Sequence, residues 1–406
     1  MTGLFDKFSK LLDIQNTYME EMESHPLNMR IEKIITPTQA VIAGKERVML
    51  GTNNYLGLTM DETSIEHTIE TVQNFGTGTT GSRVANGSYS IHQDLERSTA
   101  EFFGKKHAIL FTTGYQANVG FISAIAGRDD YVLIDADCHA SIYDGCKLGD
   151  ATVIRFKHND AADLEKRLSR LPADAAKLVV IEGIYSMLGD RAPLADIVSA
   201  TKKHGAYLMV DEAHSVGVLG ENGRGLAEEA GLEDEIDFIV GTFSKSVGTI
   251  GGYCVSNHPE LDISRFAARA YLFTASLPPA VVTSAQSNLN IMSSDKGRAL
   301  IKKLWANTDR IYDGLKSMGF QVGPEKTPVI GVLMPGVEQA VRAWQILLEN
   351  DLYVNMALPP ATPGGISLLR CSVCAAHTDE QIDLILSAFK AVSDELGAQI
   401  AEKKAA

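Results

Sequence analysis

Six short apolar runs, each separated from the next by a stretch of helical character, constrain this chain more than any other feature. They cover residues 108–111, 131–134, 153–156, 178–181, 207–210 and 238–240. Strands of this kind are buried on both faces. With helical crossovers between them they predict a mostly parallel sheet covered on either side. In such sheets ligands bind beyond the carboxyl ends of the strands. Polar residues follow nearly every run: 112–115, 135–139, 182–183, 211–214 and 242–245. Five strand ends therefore converge on one predicted crevice.

The rest of the chain is read around that sheet. Residues 3–22 carry Leu4, Phe5, Phe8, Leu11, Leu12, Tyr18, Met19 and Met22 at helical spacing, and Pro26 marks the end of this amphipathic segment. Its polar face is not basic. Packing against the body or a partner subunit is therefore favoured over contact with a membrane surface, peripheral to the inner membrane. Residues 39–42 and 48–50 predict a small hairpin. It leads into the polar loop 51–57, which contains Asn54 and Tyr55 and suits the mouth of a site. After Pro278-Pro279 the character changes. A long helical pattern covers 281–318, strand-like residues 329–334 follow, then a helix over 337–350, a segment 353–355, a strand-like run 368–373 and a final helix over 379–396. The predicted organisation is an N-terminal helix and hairpin (1–50), a large domain (51–280) and a smaller C-terminal α/β domain (281–406).

Composition narrows the function classes. The chain has 406 residues, enough for two lobes, and its 45% hydrophobic and 22% charged residues are those of a globular protein. A net charge of −14 with no lysine- or arginine-rich run argues against a nucleic-acid partner. No apolar run approaches the roughly 20 residues that span a bilayer, and no signal-peptide pattern opens the chain. Five scattered cysteines point to reduced thiols in a cytoplasmic compartment. Cys371 and Cys374 stand at C-x-x-C spacing with His377 beyond. A second such pair is missing from the sequence, so they read as packing residues and no metal site is expected.

Gly76-Thr77-Gly78-Thr79-Thr80-Gly81 matches the G-x-G-x-x-G dinucleotide spacing. That fingerprint requires a strand before it and a helix after it. Here a helical segment, 65–75, precedes and a loop, 82–88, follows, which rejects nicotinamide or flavin binding. The glycines read instead as places where the backbone passes close to something bulky.

The chemistry gathers on the turn Gly241-Thr242-Phe243-Ser244-Lys245-Ser246-Val247-Gly248, directly after the last apolar run. A lysine whose pKa is lowered by desolvation forms a Schiff base with an aldehyde, and the flanking hydroxyls suit a phosphate. Gly114 and Tyr115 begin a predicted helix, whose free N–H groups favour the same anion. Asp211 ends a strand, where a buried carboxylate needs a cationic or proton-donating partner such as a protonated pyridine nitrogen. His214 lies in the same turn and could donate to a phenolic oxygen. His139, at another strand end, offers a flat ring for stacking. Each has a plainer explanation taken singly: Asp211 as a helix cap, the histidines as hydrogen-bonded structural residues. Together with Lys245 they are the equipment that pyridoxal 5'-phosphate (PLP) requires.

At this point the chain resembles the α-oxoamine synthases, PLP enzymes of fold type I, over nearly its whole length. The motifs are Gly81-Ser82-Arg83 with Gly87, His92 and Leu95-Glu96, then Thr113-Gly114-Tyr115-Gln116-Ala117-Asn118, Asp211-Glu212-Ala213-His214-Ser215 and Thr242-Phe243-Ser244-Lys245. Residues 137–145, 182–190, 241–248, 273–279 and 369–372 are most similar to the branch that condenses L-serine with a long-chain acyl-CoA. The resemblance implies a large domain with a mostly parallel seven-stranded sheet and a smaller C-terminal α/β domain. It implies that Lys245 carries PLP as a Schiff base, that Asp211 pairs with the pyridine nitrogen, that His214 contacts the ring oxygen and that His139 stacks on the ring and touches the substrate carboxylate. Gly114, Tyr115, Thr242 and Ser244 would hold the phosphate, with Ser186 also at the cofactor. Thr274 would reach the phosphate from the neighbouring subunit of a homodimer with shared active sites. Arg370 would bind the amino-acid carboxylate, and Asn54, Tyr55 and Ser82 would line the substrate site. Residues 353–360 depart from the branch pattern: Leu358 stands where an arginine would be a second candidate for the carboxylate, leaving Arg370 and His139. The rival readings are a sister synthase using glycine or alanine with another acyl-CoA, such as an 8-amino-7-oxononanoate synthase or a 2-amino-3-ketobutyrate CoA ligase, a non-catalytic partner subunit, and a nicotinamide oxidoreductase.

Overall fold

The structure is a computed structural model that describes residues 3–9, 12, 29–359 and 362–402. Most of the amphipathic segment expected over 3–22 lies outside the described residues. Fourteen strands are present among them. β1 (Ile31–Thr36), β2 (Gln39–Ile42) and β3 (Lys45–Met49) form an antiparallel meander, one strand more than the expected hairpin. β4 (His107–Phe111), β5 (Tyr131–Asp135), β6 (Thr152–Phe156), β7 (Lys177–Glu182), β8 (Tyr207–Asp211), β9 (Phe238–Thr242) and β10 (Gly252–Ser256) build the central sheet. β11 (Val329–Met334), β12 (Leu352–Tyr353), β13 (Asn355–Ala357) and β14 (Ser367–Ser372) complete the set.

The central sheet has seven strands in the order β4-β10-β9-β8-β7-β5-β6. Only β10 runs antiparallel to its neighbours. Its two faces bury different sets of the same strands. Ile109, Phe111, Val132, Ile134, Val180, Met209 and Val240 pack into one core, and Ala108, Leu110, Leu133, Val179, Val210 and Ile239 into the other. That alternation is the period-two geometry of a strand, and it explains why the runs are apolar throughout. Parallel register then brings side chains into line at the carboxyl edge: Glu182 pairs with Asp211, and Asp211 with Val240.

Two elements differ from expectation. The helical pattern over 281–318 is two helices, Pro279–Met292 and Asp295–Ser317. The chain breaks at Ser293 and Ser294, whose hydroxyls donate to the carbonyls of Leu289 and Ile291 at 2.9 and 2.6 Å. Ser294 is extended and begins the second helix as its cap residue. The segment 353–355 is likewise split. β12 pairs in parallel with β3, while β13 pairs with β14 in a three-stranded sheet ordered β11-β14-β13. Trp344 Nε1 donates to the Val354 carbonyl between them at 3.0 Å.

The glycine-rich stretch follows the helix Glu62–Phe75 and leads into a turn, with no strand before it. What passes close to Gly81 is the chain itself: a Cβ there would fall 2.0 Å from Asn86 Oδ1. All five cysteines are free and buried. His377 Nδ1 accepts from the Cys374 N–H, and Nε2 lies 3.0 Å from the Met49 carbonyl, so this histidine closes a turn. Among the described residues no helix is long and apolar enough to cross a membrane.

Candidate active site

Beyond the carboxyl ends of the central strands lies a cavity of about 270 Å³. Gly114, Tyr115, His139, Asp211, His214, Thr242, Ser244 and Lys245, all singled out from sequence, line it. Asn118, Ser141 and Glu182 join them.

One end of the cavity is the start of the helix Gly114–Ile125. Thr113 caps it, its hydroxyl accepting from the Gln116 N–H at 3.0 Å. Gly114 is required by close approach, because a Cβ there would meet Thr242 Cβ at 2.7 Å. The Thr242 and Ser244 hydroxyls are 2.7 Å apart, and the Ser244 N–H donates to Thr242 Oγ1 at 3.1 Å. A helix N-terminus beside two hydroxyls is a cradle for a phosphate.

The floor is Asp211, 5% exposed. Its Oδ1 accepts from the Ala213 N–H at 2.9 Å, and its Oδ2 from Asn118 Nδ2 at 2.6 Å. Each carboxylate oxygen has two acceptor sites, so both keep capacity for a further donor. Asn118 Nδ2 also donates to Ser141 Oγ at 2.9 Å, and that hydroxyl lies 2.7 Å from His139 Nδ1. The Ser141 N–H points to the same nitrogen at 3.2 Å, so Nδ1 is an acceptor and the ring is neutral. A hydrogen-bonded chain thus runs from the acid on the floor to the flat ring of His139.

Burial governs the titratable groups. It lowers the Lys245 ammonium to about 8, although the Asp211 and Glu182 charges work the other way. It holds His214 well below the usual imidazole range, helped by the Lys245 and Arg370 charges. His139 is lowered for the same first reason. Burial and the in-register Asp211 carboxylate push the Glu182 carboxyl well above its ordinary value, and Glu182 accepts from the His139 backbone N–H.

A second network joins His214 to Arg370. His214 Nδ1 is 2.7 Å from the Tyr55 hydroxyl, which donates to Asn53 Oδ1 at 3.3 Å. The same Asn53 oxygen accepts from Arg370 Nη1 at 2.9 Å. Arg370 Nε donates to the Ser186 carbonyl at 2.6 Å, and Nη1 also donates to Ser372 Oγ at 2.8 Å. Arg370 Nη2 is buried without a hydrogen-bond partner among the described residues. A buried guanidinium N–H left over in this way suits an anionic ligand.

The remaining sequence candidates lie elsewhere. Asn54 Nδ2 donates to Thr59 Oγ1 at 2.8 Å, bracing the loop, whereas its neighbour Asn53 enters the network. Ser82 accepts through its carbonyl from the Ala85 and Gly87 N–H groups. Ser186 is not among the residues lining the cavity, and its carbonyl instead accepts from Arg370 Nε. Thr274 sits outside this chain's cavity, 3.4 Å from Gln116 Nε2.

The donor set fits PLP: an acid for the ring nitrogen, a lysine with a lowered pKa, a flat neutral imidazole and a phosphate cradle that a Cβ at residue 114 would fill. The model of the class I and II aminotransferase family matches residues 45–389. The chain belongs to that family. A serine palmitoyltransferase of Caulobacter vibrioides is 52% identical over 396 residues, covering 97% of each chain. The serine palmitoyltransferase of Sphingomonas paucimobilis, solved with a bound PLP–myriocin aldimine, superposes with a TM-score of 0.95 at 48% identity and covers 98% of this chain and 100% of that one. An 8-amino-7-oxononanoate synthase of Lysinibacillus sphaericus is more distant, at 38% over 89% of this chain and 92% of its own. The fold is therefore that of the fold type I PLP enzymes, and the resemblance seen in the motifs extends over nearly the full length, 97% of the chain in sequence and 98% in structure.

Proposed function

We infer that this family member is a PLP-dependent serine palmitoyltransferase. It condenses L-serine with a long-chain acyl-CoA such as palmitoyl-CoA, releasing CoA and CO2 and forming 3-ketosphinganine, the first sphingoid intermediate. The observation that carries the reading is that Lys245 and Asp211 line one cavity whose wall is the N-terminus of the helix Gly114–Ile125. That the two relatives near 50% identity are both serine palmitoyltransferases supports the choice of substrates.

When bound, PLP supplies an aldehyde for the substrate amine and a ring that accepts electrons from Cα. Asp211 would keep a proton on the ring nitrogen. Gly114, Tyr115, Thr242 and Ser244 would hold the phosphate. Lys245, with a pKa near 8, is poised to take the Cα proton of serine and later to return one. His214, neutral through burial and oriented by Tyr55, would contact the ring oxygen. His139 would offer its flat ring to the cofactor, and Arg370 would offer its unpaired N–H to the serine carboxylate. Leu358 leaves that carboxylate to these two groups.

The homodimer belongs to the same reading. Thr274, outside its own chain's cavity, would complete the neighbouring subunit's phosphate site. So does a cytoplasmic location, where the amphipathic pattern of residues 3–22 would meet the body, a partner subunit or the inner membrane. Vesicle flotation with and without those residues tests the last point. For the reaction itself, the purified holoenzyme is offered L-serine, glycine or L-alanine, each with palmitoyl-CoA, and free thiol is followed. Thiol release with serine is expected. Release with glycine or alanine alone would make the protein a sister synthase.

A further inference from the structure

Outside the cavity, the carboxyl edge carries a charged cluster that the chemistry does not use. His158, in the turn after β6, lies between two buried carboxylates. Its Nδ1 is 2.8 Å from Asp135 Oδ1 and its Nε2 is 2.6 Å from Asp190 Oδ2. The two acids are 1% and 6% exposed. Both ring nitrogens face acceptors, so the ring carries two N–H groups and is an imidazolium. Burial would lower its pKa, but the hydrogen bonds and charges of Asp135 and Asp190 prevail and raise it to about 10. Asp137, 3.9 Å from Nδ1, adds a third carboxylate. The next residue, Asn159, adopts φ 53°. Its backbone N–H donates to Asp135 Oδ2 at 2.8 Å, and its side chain to Asp190 Oδ2 at 2.9 Å.

Each acid anchors a different loop. Asp135 Oδ1 also accepts from the Asp137 N–H at 2.9 Å, shaping the turn that delivers His139. The Asp190 carbonyl accepts from the Tyr185 N–H at 2.9 Å, and Ile184 bridges to Arg191, which closes the loop carrying Ser186. The Tyr185 ring stands edge-on to His158, with centroids 4.5 Å apart. The Ser186 carbonyl in turn holds Arg370 Nε at 2.6 Å. His139 and Arg370 are the two groups assigned to the substrate carboxylate, and one imidazolium ties together the loops that aim both.

We infer that His158, clamped between Asp135 and Asp190, is a positioning residue that sets the amino-acid carboxylate subsite by fixing the His139 turn and the Ser186 loop together. The inference rests on the functional reading above and deepens it. A guanidinium N–H or an imidazole displaced by about an ångström forfeits much of a charge-assisted contact to a carboxylate. The effect should therefore fall on ligands that possess the carboxylate and spare those that lack it.

The test titrates the holoenzyme's visible spectrum with L-serine and with 2-aminoethanol, which keeps the amine and hydroxyl but has no carboxylate. H158A should weaken L-serine by about ten- to a hundred-fold and 2-aminoethanol by less than about threefold. D190N, which keeps the shape and one acceptor oxygen, should show the same selectivity at smaller amplitude and decides the matter if H158A does not fold. Steady-state assays should place the loss in KM for serine, with KM for palmitoyl-CoA unchanged. Equal weakening of both ligands would make His158 a merely structural clamp and overturn the inference, as would unchanged serine affinity in a folded variant. Wild-type enzyme that ignores L-serine would overturn the functional reading, and this inference with it.

Discussion

Lys245 and His214 line one cavity, and burial lowers the pKa of both, yet the consequences differ. An imidazole starts near 6.5, so a downward shift leaves His214 neutral at pH 7. An ammonium starts near 10.5, and a pKa of about 8 leaves Lys245 within reach of both forms. Capture of PLP by the apoprotein needs the free amine. Its rate, followed by absorbance, should rise about tenfold per pH unit below 8 and level off above. K245A should lower turnover by about a thousand-fold or more, the usual scale for losing a nucleophile that is also the base. R370K keeps the charge but loses the fork. It should raise KM for serine by about ten- to a hundred-fold and leave KM for palmitoyl-CoA unchanged. Lys245 and His214 were legible in the sequence because each sits just past an apolar run, where a parallel sheet gathers its ligands, whereas Arg370, inside β14, was reached only through the resemblance. Asn53, Asn118 and Ser141 were not legible. Asn118 meets Asp211 across 93 positions of chain, a contact made only by helix packing. Glu182 was visible as a strand end, but its place beside Asp211 depends on register, which an apolar run does not specify.

At the scale of elements, the strands were readable and their partners less so. Tyr353 and Asn355 look like one strand, but they pair with different sheets, and only the fold decides where a short segment is divided. The break at Ser293-Ser294 had a local signal, since Ser-Ser-Asp is a cap sequence, and the apolar period running through it masked that signal. We propose the division into residues 51–280 and 281–406, with β3 of the 1–50 segment paired to β12; independent expression of the two parts and their separate unfolding transitions would test it. His377 joins these parts, its ring held between the Cys374 N–H and the Met49 carbonyl at the end of β3. Burial depresses its pKa from 6.5 to about 4. The unfolded chain therefore binds this proton more readily, and stability present above pH 6.5 is lost as pH falls toward 4. The full window is worth about 3 kcal/mol. Urea unfolding at pH 7 and pH 4.5 should show wild type losing more stability than H377Q. Equal losses in the two proteins would mean that another group carries the acid sensitivity.

On the scale of the whole molecule, the helix Glu62–Phe75 is turned the wrong way for a monomer in water. Its inner face is polar: Thr71 Oγ1 meets Thr283 Oγ1 at 2.8 Å, and His67 Nδ1 meets Ser287 Oγ at 3.0 Å on the helix Pro279–Met292. Its outer face carries Ile65, Ile69, Val72 and Phe75, between 36% and 56% exposed. A contiguous apolar stripe of this kind marks a contact surface. A second copy of the chain is the occupant that the proposed homodimer supplies. It would bring a foreign Thr274 to the phosphate cradle, which Thr274 does not reach within its own chain. Assembly and cofactor retention should then fail together. I69D places a charge in the middle of the stripe while leaving the inner face untouched. It should sediment as a monomer with native circular dichroism and lose PLP on gel filtration, whereas wild type keeps both. T274A should remain dimeric and bind PLP about tenfold more weakly, the loss expected for one hydrogen bond to a charged group. If I69D stayed dimeric, the stripe would not be the interface. If it became monomeric and still held PLP as tightly as wild type, each site would be complete within one chain and Thr274 would play no part in it.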